Sequence, residues 1–274
     1  MKLKRKLGTI GVNLLAWLIT LIMLIPLLLI LFNSMKTSKE AAEMALTLPG
    51  AIQWDNFSLV VDKGKLDIAF LNSLLYSVGS VALTTVFAAL AAYVLARRRT
   101  KLHNFLYFFI ALGITMPINF VALTKVMQFL SLNNTRIGII FLYSATQMPF
   151  NVFLLYSFIG KIPRELDEAA IIDGCTPIRL FMSIILPLLK PVLVTVVVLT
   201  FLNTWNEFVM PLYFLGETTK WPMTLAVYNF FGMYFKDWNL VCADIVLTSL
   251  PVIVVYLLGQ KHIVSGMTAG AVKG

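Results

Sequence analysis

Along this chain the charged residues gather into short clusters and leave long stretches with none. No Asp, Glu, Lys or Arg occurs from Leu7 to Met35, from Ile68 to Ala96, from Leu102 to Thr124, or from Ile137 to Gly160. About 20 apolar residues in a helix cross a hydrocarbon core about 30 Å thick, so each run suffices for one crossing. Two later runs are less clean: Ile184 to Asn206 carries Lys190 near its start, and the last begins at Asp244 and ends at Gln260. The pattern predicts an all-α integral membrane protein, one transmembrane domain over residues 1–274. Six spans are expected at about 10–33, 69–96, 104–128, 137–160, 182–207 and 242–260. The stretch from Trp221 to Phe235 is also uncharged, but it is short and holds Pro222, Asn229 and Gly232. It suits an interfacial or re-entrant segment better than a crossing.

Composition agrees with this reading. Hydrophobic residues make up 59% of the chain and charged residues 13%, with a mean hydropathy of +0.86, far from the makeup of a soluble domain. With six spans, Lys2, Lys4, Arg5, Lys6, Arg97, Arg98, Arg99, Lys101, Lys161, Arg164, Arg179, Lys261 and Lys273 fall on one side. Lys36, Lys39, Lys63, Lys65, Arg136, Lys220 and Lys236 fall on the other, mostly in longer segments and with Glu40, Glu43, Asp55, Asp62 and Asp67 among them. The dense cluster from Arg97 to Lys101 weighs most, and both termini are expected in the cytoplasm. Topology thus uses most of the net charge of +9, and no nucleic-acid partner is needed to explain it.

The basic start followed by an apolar run imitates a signal peptide. The run exceeds an h-region of about 7–15 residues and no small-x-small site follows, so it reads as a retained anchor. Cys175 and Cys242 are expected on opposite sides of the bilayer, too far apart for a disulfide. His103 and His262 have no carboxylate or thiol at ligand spacing, so no metal site is expected. No Gly-x-x-x-x-Gly-Lys-[Ser/Thr] occurs, which leaves no P-loop for ATP phosphates. No nucleophile–base constellation is evident either, and the chain is not expected to be an enzyme or to bind a cofactor.

The most informative segment runs from Pro163 to Pro187, between two spans. Pro163 suits the first turn of a helix, and Glu165, Asp167 and Glu168 favour the positive end of its dipole. Leu166, Ala169 and Ala170 give a small apolar face, and Gly174 permits a left-handed exit. A short amphipathic helix over about 163–175 is predicted. Pro187 and Pro191 near the start of the next span imply a defined angle between the two.

This segment resembles the EAA loop of ABC-importer permeases of the carbohydrate-uptake type. The matching residues are Glu168, Ala169, Ala170, Gly174, Leu186 and Pro187, with Asp173 before the glycine as in sugar-type members. Cys175 stands where the family usually has Ala. Ile162-Pro163-Arg164-Glu165-Leu166, Asn72-Ser73 and Trp205-Asn206-Glu207-Phe208 are similar to that group as well. The tail over 261–274, ending Gly266-Met267-Thr268-Ala269-Gly270-Ala271-Val272-Lys273-Gly274, resembles that of maltose-type second permease subunits. Glu40-Ala41-Ala42 followed by Leu48-Pro49 is a decoy, because it lacks the glycine and lies on the other side.

The resemblance implies the type I importer permease fold, with the 163–175 helix as a coupling helix docked in a cleft of an ATPase subunit. It implies a second permease forming a heterodimer, two ATPase subunits carrying ATP-Mg, and an extracytoplasmic solute-binding protein. It also implies a bacterial or archaeal cytoplasmic (inner) membrane and sugars, oligosaccharides or related polyols as cargo.

Polar residues inside spans are candidates for lining the translocation path, since facing lipid is costly for them. They are Asn72, Asn119, Gln147, Asn151, Asn203, Trp205, Asn206 and Glu207. The bland alternative is that they glue helices together. Two rival functions stand beside the importer: an ion-gradient-driven secondary transporter, which would want paired intramembrane acids, and a membrane scaffold protein.

Overall fold

The structure, a computed structural model, describes residues 2–98, 100–230 and 237–271. Arg99, Lys236 and Lys273 of the charge pattern, residues 231–235 of the expected interfacial segment, and the last three residues of the tail lie outside them. Among the described residues every regular element is a helix. Four helices are long and apolar enough to cross a membrane, within Gly11–Ser34, Leu66–Arg97, Arg136–Ile159 and Trp238–Lys261. A fifth candidate is a pair, Pro177–Leu188 and Lys190–Trp205, bent by 77°.

The chain divides into two compact units. The first comprises Met1–Asp67 and Leu225–Leu250. It holds α1 (Lys2–Ser34), α2 (Ser38–Ala41), α3 (Asp55–Gly64) and the first part of a long helix that starts at Trp238. Thr37 closes a capping box on α2: its side chain accepts from the Glu40 amide, and its own amide donates to the Glu40 carboxylate. The turn after α1 is built on buried polar groups. Asn56 Nδ2 donates to the Ser34 and Lys36 carbonyls, each at 2.8 Å, while Asn239 Nδ2 donates to Asn56 Oδ1 at 2.9 Å. Lys36 is 1% exposed. Its Nζ donates to Asn33 Oδ1, the Ala45 carbonyl and Thr47 Oγ1 at 3.1, 2.7 and 3.1 Å. A buried ammonium costs several kcal/mol unless its protons find acceptors; here all three do.

The second unit comprises Ile68–Thr224 and Pro251–Gly274. It contains α4 (Leu66–Arg97), α5 (Lys101–Leu112), α6 (Phe120–Phe129), α7 (Arg136–Ile159), α8 (Glu165–Ile172) and α9 (Pro177–Leu180). A π-helical turn (Phe181–Ile185) follows, then α10 (Leu186–Leu188), α11 (Lys190–Trp205), α12 (Val209–Phe214) and α13 (Met223–Ala226). The last helix, α14 (Trp238–Ala271), begins in the first unit and continues through most of the expected tail. Because α14 starts at Trp238, Asp244 lies within it, buried at 1% exposure.

The small residues of α4 are used for close packing. Ala88, Ala89, Ala92 and Ala96 are buried in a core with Val152, Leu155 and Ile159 of α7 and Val192 and Val196 of α11. A Cβ on Gly79 would meet Ile140 at 3.0 Å. The stretch expected as an unbroken span over 104–128 consists of two helices, α5 and α6. Pro117 explains the break: it has no N–H and disfavours helical backbone at Met116. Asn119 then caps α6 by accepting from the Ala122 amide at 3.0 Å.

Candidate functional site

Helix α8 carries the segment that the sequence singles out. It starts at Glu165, after Pro163 rather than on it, with Arg164 as N-cap and Glu165, Asp167 and Glu168 in its first turn. Its far end is a Schellman motif. The Cys175 amide donates to the Ala170 carbonyl at 2.9 Å and the Gly174 amide to the Ile171 carbonyl at 3.0 Å. Gly174 sits at φ +77°, where a Cβ is strained. Cys175 packs against the same core as Ala170, which accounts for a small residue following the glycine.

The expected small apolar face divides. Ala170 is buried, whereas Leu166, Ala169 and Glu168 are exposed. The exposed apolar surface is larger than predicted, because Ile172 (85% exposed) and Ile178 (78%) join it. Two Ile side chains this open beside an exposed carboxylate form a surface suited to a partner protein.

The underside of α8 is held by α4. Arg97, the last residue of α4, pairs with Asp167: Nη2 lies 2.7 Å from Oδ2, and each side chain is 13% exposed. Arg97 Nη1 donates to the Ile162 carbonyl at 3.1 Å, and Tyr93 Oη donates to Asp167 Oδ1 at 3.2 Å. Tyr93 also packs on Phe181 with ring centroids 5.2 Å apart. Beyond this pair a cavity of about 230 Å³ opens, lined by Arg164, Glu168, Ile171 and Leu180 among others.

Sequence reasoning missed Arg97, Tyr93 and the particular role of Asp167. Both charges already had sufficient local explanations, as a topogenic arginine and a helix-dipole acid. No one-dimensional signal joins Asp167 to residues 70 and 74 positions away.

After α8 the chain turns sharply. Thr176 caps α9 with Pro177 at its first position. The π turn, Pro187 and Pro191 then lead into the 77° bend between α10 and α11. Leu186 and Pro187 of the motif form part of α10 at this bend. The defined angle expected from the two prolines is therefore a pronounced one.

The path candidates fall into distinct settings. Asn203 Nδ2 donates to Gln147 Oε1 at 3.2 Å, and one turn along the same seam Asn151 Nδ2 donates to Thr200 Oγ1 at 2.9 Å. Asn151 is buried, while Asn203 and Asn206 are exposed. Glu207 Oε1 accepts from the Val209 and Met210 amides at 2.8 and 3.1 Å, capping the start of α12. Asn119 caps α6. Trp205 is 2% exposed, stacked on Phe201 at 5.4 Å and meeting Phe70 edge-on at 5.9 Å.

Asn72 is engaged on both sides of its amide. It donates to the Thr219 and Trp221 carbonyls, each at 3.0 Å, and accepts from Arg136 Nε at 3.0 Å. The segment it holds, 215–222, is pinned again by Tyr76 Oη to the Lys220 carbonyl at 2.7 Å. Lys220 Nζ and Asn134 Nδ2 both donate to Glu217 Oε1, at 2.9 and 2.8 Å. Those bonds hold the Glu217 carboxyl below its ordinary value of 4.5, the Lys220 ammonium having the largest effect.

A family model described as "Binding-protein-dependent transport system inner membrane component" matches residues 84–269, a range that includes α8, its Schellman turn and the bend. The chain belongs to this permease family. Among its relatives, the probable starch degradation products transport system permease protein AmyC of Thermoanaerobacterium thermosulfurigenes is 34% identical over 256 residues, covering 93% of both chains. The multiple sugar-binding transport system permease protein MsmG of Streptococcus mutans is 35% identical over 259 residues, covering 92% of this chain and 93% of its own. The fold is similar to that of a chain from a bacterial ABC transporter involved in the import of the acidic polysaccharide alginate. That match has a TM-score of 0.82 and 23% identity, with 94% of this chain and 96% of that one covered. This permease is accordingly a multi-pass membrane transport component and not an enzyme.

Proposed function

We propose that this permease is one of two membrane subunits of an ATP-driven importer of sugars, oligosaccharides or related polyols. Both termini and α8 face the cytoplasm, and α8 docks into an ATPase subunit. A second permease completes the pore, ATP-Mg binds on two ATPase subunits, and a solute-binding protein delivers cargo from the opposite side of a bacterial or archaeal cytoplasmic membrane. The observation that carries the reading is α8 itself. It is an exposed helix with Glu168 and Ile172 outward, closed by a Schellman turn, within the residues matched by a binding-protein-dependent family.

The rest follows from the arithmetic of a two-state switch. Turning a 1:99 equilibrium into 99:1 takes about 5.5 kcal/mol of differential interaction. A rigid helix anchored at both ends transmits such a bias better than a slack loop. The α7–α11 seam with Gln147 and Asn203, and the exposed Asn206 beyond it, offer amide groups that bond sugar hydroxyls, and these line the path. Asn72, Asn119, Asn151, Trp205 and Glu207 support its walls.

The test is ATP-dependent uptake of labelled oligosaccharides by vesicles holding the purified permease with its co-purifying subunits and binding protein. The expected result is uptake that needs ATP, survives a protonophore, and is lost with Glu168→Lys together with the ATPase subunit. Uptake that follows an ion gradient without ATP, or a permease that retains its ATPase subunit undiminished when Glu168 is reversed in charge, overturns the proposal.

A further inference from the structure

We infer that Asp167, Arg97 and Tyr93 form a latch that makes α4 move with α8, and that Asp167 is a positioning residue for energy coupling. The inference rests on the proposed docking of α8 on an ATPase subunit and extends it to the route by which motion leaves α8. Covalently, α8 is joined only to α7 through 160–164 and to α9 through 173–176. Neither connection reaches α4, the 32-residue helix whose buried alanines form one wall of the core shared with α7 and α11.

Both oxygens of the Asp167 carboxylate are held from α4: Oδ2 by Arg97 at 2.7 Å and Oδ1 by Tyr93 at 3.2 Å. Arg97 and Tyr93 stand four residues apart, one turn of the same helix face. Arg97 also grips the Ile162 carbonyl at 3.1 Å, so a single guanidinium holds the segment entering α8 and the first turn of α8 together. A second link runs from Tyr93 to Phe181, the first residue of the π turn that leads into the bend. The two side chains of the ion pair are 13% exposed, sheltered enough from water to resist the screening that makes surface pairs weak. Glu168, the next residue, is exposed. Adjacent acids on α8 thus differ in setting: Asp167 is held by α4, while Glu168 beside it stays exposed.

Without the latch α8 still docks, but it swivels against α4, and hydrolysis drives the span less efficiently. Coupling free energies between sites typically correspond to about 5–150-fold, and the loss of one link belongs at the low end. The complete transporter in vesicles is the object to test, with solute transported per ATP hydrolysed as the readout. Asp167→Asn keeps the shape and removes the charge. It is expected to leave assembly and hydrolysis within about twofold and to lower solute per ATP about fivefold, with Asp167→Glu recovering most of the ratio. Tyr93→Phe, which removes only the hydroxyl, is expected to lower the ratio less.

An unchanged ratio in Asp167→Asn overturns the latch. So does a parallel loss of assembly, hydrolysis and uptake with the ratio intact, which is the mark of a merely structural pair. Failure of the wild-type complex to couple ATP to uptake overturns the proposed function instead, and the two failures are distinguishable.

Discussion

Gly174 offers a clean separation of backbone from surface requirements. Its φ of +77° lies where an L side chain is strained, yet a Cβ built there has nothing within 4 Å. The cost of Gly174→Ala is therefore conformational and not steric. Left-handed backbone costs a residue with a Cβ about 1–2 kcal/mol. The same Cβ restricts the open chain and returns about 0.4–1 kcal/mol. The balance is about 1 kcal/mol, or about a fivefold shift toward an opened α8 terminus. Amide hydrogen exchange reads this directly, because the Cys175 and Gly174 amides are the two Schellman donors and their protection reports local opening. After correction for intrinsic rates, both should exchange about fivefold faster in Gly174→Ala. Gly174→Asn should fall between Gly and Ala, since Asn tolerates the left-handed region, and Gly174→Val should be worst. In the assembled transporter the same order, Gly, Asn, Ala, Val, is expected for retention of the ATPase subunit. Equal protection in Gly and Ala would refute the backbone argument. Retention poorer with Asn than with Ala would show that the partner's surface, not the turn, demands the glycine.

Lys36→Met should strand Asn33 Oδ1, at about 1–3 kcal/mol for a buried group left unsatisfied, whereas the Ala45 carbonyl keeps the Asn33 amide as a donor; a lower melting temperature and faster proteolysis within 37–54 would check it. Trp205→Ala should cost about 3–5 kcal/mol as a large buried truncation, whereas Asn203→Ala should stay within about 0.5 kcal/mol and change the concentration dependence of uptake instead. Thermal unfolding of both variants separates a wall residue from a lining one. Glu217 has a depressed folded value, so its contribution is fully present above the unfolded value of 4.5 and is lost as pH falls through the lower folded value. Protection of the 215–222 amides should therefore drop at acid pH in the wild type, and Glu217→Gln should flatten that dependence.

How much of this was legible depends on whether a residue's role was local. The charge-free runs marked α1, α4 and α7, because exclusion of charge from a bilayer is a property of a segment by itself. The motif from Glu168 to Pro187 marked α8 and its turn for the same reason: dipole, cap and left-handed glycine all act within a few residues. Where two segments must meet, the sequence carried less. Arg97 and Asp167 each had a complete explanation without the other. Trp205 read equally well as a lining residue and as one that glues helices together, since an aromatic at a helix end serves both. The break at Pro117 was not read, because the absence of charge around it already marked a span. The Asn72 side chain, read as a path candidate, spends its hydrogen bonds on the 215–222 segment, a use visible only once that segment is folded back against α4.

That last arrangement changes what recognition would cost. Segments that order on contact give up rotamer and backbone freedom at the moment of binding, and the loss is subtracted from affinity. In 215–222 the freedom is already gone, removed by Asn72, Tyr76, Asn134, Arg136 and Lys220 when the chain folds. A molecule arriving at the exposed Gly216, Glu217, Thr218 and Thr219 meets a fixed template. Association there should run without a slow conformational phase, and differences among ligands should appear in how long they stay.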